Sequence, residues 1–425
     1  MERKIEKFFL KWKNDVIRKP LLLFGLKQIG KTYTVLEFGR KHYHHVAYFN
    51  TSCNQALLDL FKKERSIDKL AVALSAMVEV PVLKNETLLV FDNVDDEELI
   101  KGIKLFGYDR NEYHVMAITS RRENLVRFKG EELQYKIMTE MDFEEYLWAR
   151  GEKEIADNIR HAYQEGKRCA YHAKALDLFY DYLLTGGFPE VVLASFHSSF
   201  PFEMQAAKEK VFDILKSFLN ECNPLIDIPR GLEVLNSIPK QLQKENKKFQ
   251  YGVLGYGRRA KEYESVIQYL VSNLLVNRSY KITTVKSPLS SCRELDSFKL
   301  YYPDDGLLSG RLHITKKQLL EDDELKYTLY ENHIAHTLLE AGYSLYYYQS
   351  QGKAEVNFVI QNRMGKIIPI EIATKKGSKV KSLSVFMKQY MVLDAYRITE
   401  NNFGEKREVH YLPVYAVFCL NEQLY

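Results

Sequence analysis

Hydrophobic and polar positions along the chain follow two rhythms, and each predicts a kind of element. Residues 3–18 set Lys, Glu and Arg against Ile5, Phe8, Phe9, Trp12 and Ile17 at helical spacing, and Pro20 closes the run. "LLLFG" (21–25) is short, continuously apolar and bounded by Pro and Gly, which predicts a buried strand. A helix is expected over "KTYTVLEFGRKHY", strands over 46–50, 87–92 and 113–120, and helical structure over 55–80. Strands alternating with helices predict an α/β unit built on a mostly parallel sheet. From about 142 to 220 the period is helical, broken at "TGGFP" (185–189), and residues 205–280 have the lengths of a small helical module ending in a strand-like run, as in a winged helix. From about 298 the pattern is α/β again: a helix over 327–342, strands over 344–350, 354–361 and 366–374, a helix over 380–390 and a last strand at "VYAVFCL" (414–420).

Length changes this picture little: 425 residues suit two to four domains. Five cysteines at 53, 169, 222, 292 and 419 form no paired motif, so neither a disulfide framework nor a zinc site is expected from them. The basic, amphipathic N-terminus lacks the apolar core of a signal peptide, and no apolar stretch is long enough to span a bilayer. A cytoplasmic protein without membrane contact is the expectation. A net charge of +5 permits contact with nucleic acid without arguing for it. His42, His44 and His45 lack neighbouring acids or cysteines and read as a surface loop.

"GLKQIGKT" places Gly25, Gly30, Lys31 and Thr32 on the G-x-x-x-x-G-K-[ST] pattern, between a strand and a helix as that motif requires. Glycines let main-chain amides wrap a phosphate, and the helix N-terminus adds positive potential. Lys31 is expected on the β/γ-phosphates of ATP and the Thr32 hydroxyl on Mg²⁺. Lys27 and Tyr33 line the same loop. Asp92, at the end of the 87–92 strand, suits the Mg²⁺ shell through water, and Asn93 follows it where a water-activating carboxylate often stands. An amide cannot accept that proton but can still orient the water, so Asn93 stays a candidate catalytic residue and weak or partner-dependent ATP turnover is expected. Thr119 or Ser120 is placed to sense a γ-phosphate, and Arg121 and Arg122 are candidate charge-neutralising groups.

Taken with "LLVFDNVDD", "MDFEEYLWARG", "LTGGFPEVV", "FKLYYPDDGLL", "YENHIAHTLLEAGYSLYYYQS" and "AEVNFVIQNRMGKIIPIEIAT", the chain resembles, over nearly its whole length, the prokaryotic AAA-type (archaeal-ATPase-like) P-loop proteins with a C-terminal restriction-endonuclease-like PD-(D/E)xK domain. The resemblance implies an ATPase core at 1–141, a helical lid at 142–204, a winged-helix-like module at 205–297 and a nuclease-like α/β domain at 298–425. Two departures stand out. The resemblance implies an acidic pair where this chain has Asp92-Asn93. It also places a metal-dependent nuclease site on Glu331, Glu355, Asn357, Glu371 and Lys375, yet Asn357 stands where an Asp is usual and Ala373 where a Lys is usual. Metal catalysis needs those charges. The domain is therefore expected to be degenerate and used for binding, with a DNA nuclease acting on foreign or mobile DNA as the alternative. DNA is an expected partner through the basic run Lys240, Lys244, Lys247, Lys248, Arg258, Arg259 and Lys261 and the cluster at 375–382. A protein partner or self-association is also in keeping with this architecture.

Overall fold

Five strands of the N-terminal part form one parallel sheet. The structure, a computed structural model, describes the chain apart from residues 53, 108–111, 123–131, 198–200, 223–226, 351–353, 375–379 and 425. Strands β1 (Leu21–Phe24), β2 (His45–Asn50), β3 (Thr87–Asp92), β4 (His114–Thr119) and β5 (Gln134–Ile137) lie in the order β2-β3-β4-β1-β5. Every pairing among them is parallel. Strands β1, β3 and β4 are buried at every position, so each is a continuous apolar run with no alternation. Each fully buried Leu, Val or Phe contributes roughly 1.5–3 kcal/mol. Around the sheet run α1 (Ile5–Lys13), α2 (Lys31–His42), α3 (Gln55–Lys63), α4 (Ile67–Val78) and α5 (Glu97–Leu105). Two details differ from expectation. The stretch 55–80 is two helices, because Glu64 and Ser66 adopt extended backbone between them. The short edge strand β5 was not expected from the sequence: its burial alternates and Tyr135 is exposed, so it lacks a strong apolar signal.

The described residues divide into two compact units, 1–139 and 140–425. The second opens with helices α6 (Phe143–Ala149), α7 (Lys153–Glu165), α8 (His172–Thr185), α9 (Pro189–His197), α10 (Pro201–Cys222), α11 (Ile228–Leu242) and α12 (Ala260–Ser272). A hairpin follows, β6 (Asn277–Ile282) with β7 (Arg293–Tyr301), then α13 (Asp305–Arg311), α14 (Lys316–Glu321) and α15 (Asp323–Glu340). The remaining elements are β8 (Tyr346–Gln349), β9 (Glu355–Gln361), β10 (Ile367–Ile372), α16 (Val380–Tyr390), β11 (Ala395–Thr399), β12 (Gly404–Lys406) and β13 (Val409–Pro413). All eight strands form one mixed sheet, β12-β13-β11-β10-β9-β8-β6-β7.

Three helices followed by a hairpin is the element order of a winged helix. Here, however, β6 pairs in parallel with β8, with Tyr280 opposite Tyr346, so the hairpin is also the edge of the C-terminal sheet. The expected domain boundary at 297/298 falls inside β7. The expected last strand is corrected: residues 414–420 belong to a 3₁₀ run, Val414–Leu424, and every side chain from Val414 to Leu420 is buried. A continuous apolar run says that a segment is buried but not which period it has.

Two of the sequence stretches that carry the resemblance pack on each other. Gly186 and Gly187 of "TGGFP" receive Asp304 of "YYPDDGLL": the Gly187 N–H donates to Asp304 Oδ2 at 2.6 Å, and Asp304 Oδ1 caps α13 by accepting from the Leu307 N–H at 2.8 Å. A Cβ on Gly187 would lie 2.1 Å from the Met141 carbonyl oxygen, and one on Gly306 would lie 2.1 Å from that of Thr185. The glycines permit main-chain contact that no side chain could.

Candidate functional site: a phosphate loop and an acid–lysine nest

The loop after β1 is shaped by two left-handed residues, Gln28 (φ 68°) and Gly30 (φ 89°), with Gly30 capping α2. Gly25 is fixed by proximity: a Cβ there would stand 2.2 Å from the Met138 carbonyl oxygen. Lys31 is buried, and its ammonium donates to the carbonyl oxygens of Gly25 (2.9 Å) and Leu26 (2.6 Å) and to Ser120 Oγ (2.9 Å). Its three protons are thus held by the rim of the loop, the groups that a phosphate would displace. The Thr32 hydroxyl donates to Asp92 Oδ2 at 2.7 Å, and Tyr48 donates to the same oxygen at 3.0 Å. Burial first, and then the Asp92 carboxylate, push the Tyr48 hydroxyl up to about 12, so it stays a donor. The Thr32 hydroxyl beside the Asp92 carboxylate is an oxygen-only pair at the loop, which fits Mg²⁺.

Asn93 sits in the left-handed region (φ 61°). Its N–H donates to Asp92 Oδ1 at 2.9 Å, its amide to Asn50 Oδ1 at 3.3 Å, and its carbonyl accepts from the Thr51 hydroxyl at 2.6 Å. Asn tolerates that backbone far better than Glu does. Of the two candidate γ-phosphate sensors, Ser120 reaches Lys31, whereas Thr119 is buried and faces Asp95 at 3.4 Å. Arg121 pairs with Asp95 at 3.3 Å. Lys27 is half-buried, and Tyr33 is exposed on the first turn of α2.

Two residues of this site escaped sequence reasoning. Tyr48 lies on β2 beside β3, two residues before Asn50, which is opposite Asp92, so the parallel register could have revealed it. Arg3 carries no local signal. Buried, it donates to the carbonyl oxygens of Ile29 (2.8 Å) and Thr139 (2.6 Å), tying the start of the chain to the phosphate loop.

In the second unit, the residues of the nuclease-like pattern occupy α15, β9 and β10. Glu331, fully buried on α15, is held by Lys299 Nζ (3.0 Å), Lys247 Nζ (2.9 Å) and the Tyr301 hydroxyl (2.9 Å). Lys299 also reaches Glu355 at 3.1 Å. Burial pushes the Glu331 carboxyl up, but the two ammoniums outweigh it and bring it down to about 2. Burial opposes the charge on Lys299 too, yet Glu331 and Glu355 leave it raised. Asn357 accepts from the Ile372 N–H at 3.0 Å and donates to the Tyr327 hydroxyl. Glu371 turns to Arg397, with contacts of 2.8 and 2.6 Å. Lys375 and Lys376, and most of the 375–382 cluster, lie outside the described residues. Glu331 and Glu355 are thus brought together around an ammonium, and Glu371 is bound to a guanidinium. Mg²⁺ does not fit this arrangement: the carboxylates it needs are already neutralised by fixed cations.

The basic run is only partly outward-facing. Lys247 is buried against Glu331, Lys244 donates to Gln250 at 3.1 Å and Arg258 pairs with Glu233 at 2.9 Å. Lys240, Lys248, Arg259 and Lys261 are exposed.

With this geometry in view, a family model described as an AAA domain matches residues 17–147. Models described as domains of unknown function, DUF8612 and DUF4143, match 176–318 and 328–417. No curated protein matches the chain. Among solved structures, the Walker-type ATPase PABY2304 of Pyrococcus abyssi is similar at 12% identity and TM-score 0.44, over 73% of this chain and 95% of that one. The STAND protein with a tetratricopeptide repeat sensor, PH0952 from Pyrococcus horikoshii, is similar at 15% identity and TM-score 0.31, over 80% of this chain and 45% of that one. The Aeropyrum pernix ORC1 protein, solved in complex with DNA, is similar at 14% identity and TM-score 0.28, over 77% and 95%. The N-terminal unit therefore has a P-loop ATPase-like α/β core, and a second, mixed sheet lies toward the C-terminus. Among the described residues, no helix is long and apolar enough to cross a membrane.

Proposed function

We propose that the chain is a nucleotide-dependent switch: ATP with Mg²⁺ binds the loop between Gly25 and Thr32, and the nucleotide state alters what residues 140–425 bind. The observation that carries this reading is the convergence of Lys31, Ser120, Thr32 and Asp92 on one loop, with buried charges and short hydrogen bonds. Lys31 exchanges its loop carbonyls for the β/γ-phosphates. Thr32 and Asp92 hold Mg²⁺, which when bound offsets the charge of the phosphate oxygens. Asn93 supplies no base, so hydrolysis is slow or waits for a partner to position the water.

In this reading the C-terminal domain binds and does not cut. The support is the Lys247–Glu331–Lys299–Glu355 nest and the Glu371–Arg397 pair, which take up the acids a nuclease would give to metal. DNA is the partner we favour, contacted through Lys240, Lys248, Arg259 and Lys261, in a cytoplasmic setting.

The test has two parts. Fluorescent ATP analogue should bind wild type and be lost, by at least a hundredfold in affinity, in Lys31→Ala. Plasmid DNA incubated with the protein and Mg²⁺ or Mn²⁺ should stay intact. Nicking that disappears in Glu371→Ala would instead establish the nuclease alternative.

A further inference from the structure

A second cluster of buried chemistry lies away from the nest, where α15 meets the start of α13. His333 and His336 stand three residues apart on α15, so both face the same neighbour. That neighbour is Asp305, the first residue of α13. Asp305 Oδ2 lies 2.8 Å from His333 Nδ1 and 3.2 Å from His336 Nε2, and the three donor atoms all fall within 4.8 Å of one another. The other oxygen, Oδ1, accepts from the Asn332 amide at 2.9 Å, which fixes the carboxylate plane. All three side chains are buried, at 0%, 2% and 3% exposure for Asp305, His333 and His336. Phe179 lies edge-on against His333 with ring centroids 4.8 Å apart, so an aromatic ring closes one side of the cluster.

Two further features of the surroundings bear on what the cluster holds. The first is charge. Asp305, Asp304, Glu340 and Glu140 all act electrostatically on His336, and Asp142 acts on His333. Lys208 acts on Asp304, the residue before Asp305, and donates to Ser309. A cluster of this kind can be held by protons or by a cation, and the choice between them rests on the geometry. The second is polar atoms left without a hydrogen-bond partner. Glu140 is buried, at 6% exposure, and its Oε1 has no hydrogen-bond partner. His336 Nδ1 also lacks one and lies 4.0 Å from Glu340 Oε2, the place of a carboxylate that orients a metal-bound imidazole.

We propose that His333 Nδ1, His336 Nε2 and Asp305 Oδ2 bind a zinc ion, with water in the fourth position and Glu340 orienting His336. Two imidazoles and a carboxylate oxygen suit a borderline divalent cation better than Mg²⁺ or Ca²⁺. With bonds of about 2.0–2.2 Å, a tetrahedral site spaces its donors roughly 3.3 Å apart. The Asp305–His336 separation is already close to that, and Asp305–His333 needs to open by about half an ångström. The ion would join α13 to α15, and through the cap at Asp304 it would brace the "TGGFP" turn. It is distinct from the phosphate loop and from the acid–lysine nest.

The experiment uses the full chain, purified from cells grown with added Zn²⁺ and passed through a chelating column at neutral pH. Elemental analysis should find about one zinc per chain. X-ray absorption at the zinc edge should show two imidazoles and oxygen donors with no sulfur. His336→Gln and Asp305→Asn should each retain less than a tenth of the wild-type zinc. Stripping zinc should lower the wild-type melting temperature and leave that of His336→Gln unchanged. If a variant fails to fold, the wild-type absorption spectrum decides. Folded wild type free of zinc after exposure to it would reduce the cluster to a hydrogen-bonded His–Asp–His triad. Full zinc in both variants, or a spectrum without imidazole, would place the ion elsewhere and overturn the assignment.

Discussion

Gly25 and Asn93 show how single residues decide what the phosphate loop can be. The Gly25 requirement is steric: main chain at Met138 fills the space a side chain would take. Gly25→Ala should therefore cost about 1–3 kcal/mol by overpacking and widen the loop, so that urea unfolding and ATP-analogue titration shift together. A stability loss with unchanged nucleotide affinity would show that the loop tolerates the strain. At position 93 the left-handed backbone narrows the useful replacements. Glu would be strained there, whereas Asp is tolerated. Asn93→Asp should raise steady-state ATP turnover by about tenfold or more if a missing base limits the rate, since general bases typically contribute 10²–10⁴. Unchanged turnover at saturating ATP would mean that water is activated from another position. The loop was legible in the sequence because its motif is local: eight consecutive residues hold the glycines, the lysine and the threonine. Arg3 was not legible, because its partners lie 26 and 136 residues away.

The elements carry two charge arrangements with measurable consequences. Between α15 and the sheet, Lys299 bridges Glu331 and Glu355. Lys299→Met keeps the length of the side chain and removes its charge. It should destabilise the protein by about 3 kcal/mol, the low end for breaking a buried pair, because Lys247 still faces Glu331. Adding Glu331→Gln to that variant should recover part of the loss in urea unfolding; a double variant worse than the single one would contradict the pairing.

Under α1, Trp12, Lys13, Arg18, Tyr43 and Asn85 face the buried His114, whose Nδ1 lies 2.6 Å from the Tyr43 hydroxyl. Burial first, then Arg18 and Lys13, push His114 down to about 3. The unfolded chain, titrating near 6.5, binds this proton first, so the contribution is present above about 6.5 and is lost as pH falls toward 3. The slope is at most about 1.4 kcal/mol per pH unit, reduced by solvent screening. The difference in stability between wild type and His114→Gln should therefore shrink between pH 7 and pH 5, and a difference independent of pH would remove His114 from the account. The sequence could show the alternation of elements in this region. It could not show which buried histidine a lysine and an arginine surround, nor that residues 414–420 wind as a 3₁₀ run, since both are settled by tertiary neighbours.

At the scale of the whole chain, the two units differ in what their residues hold: one carries a loop suited to a nucleotide, and the other a sheet in which Glu331, Glu355 and Glu371 are paired with cations. Legibility divides along the same line. The parallel core could be read from runs and punctuation, whereas the eight-stranded sheet joins β6 and β7 to strands from much later in the chain, and β11, β12 and β13 follow no strong alternation. The switch reading makes a demand that neither unit meets alone. A nucleotide that binds only the folded state stabilises it by about 2.7 kcal/mol at a hundredfold excess over its dissociation constant. If residues 1–139 and 140–425 respond independently, ATP analogue with Mg²⁺ should slow amide hydrogen exchange only around Gly25–Thr32, Asp92 and Ser120. If the nucleotide sets a switch, exchange in the second unit should change as well, in wild type and not in Lys31→Ala. Linkage then requires the converse: whatever binds the second unit must change ATP affinity by the same factor that ATP changes its own. DNA titrated with and without ATP analogue measures that factor directly. A ratio of one, with exchange changes confined to the first unit, would leave an ATP-binding protein in which the nucleotide switches nothing.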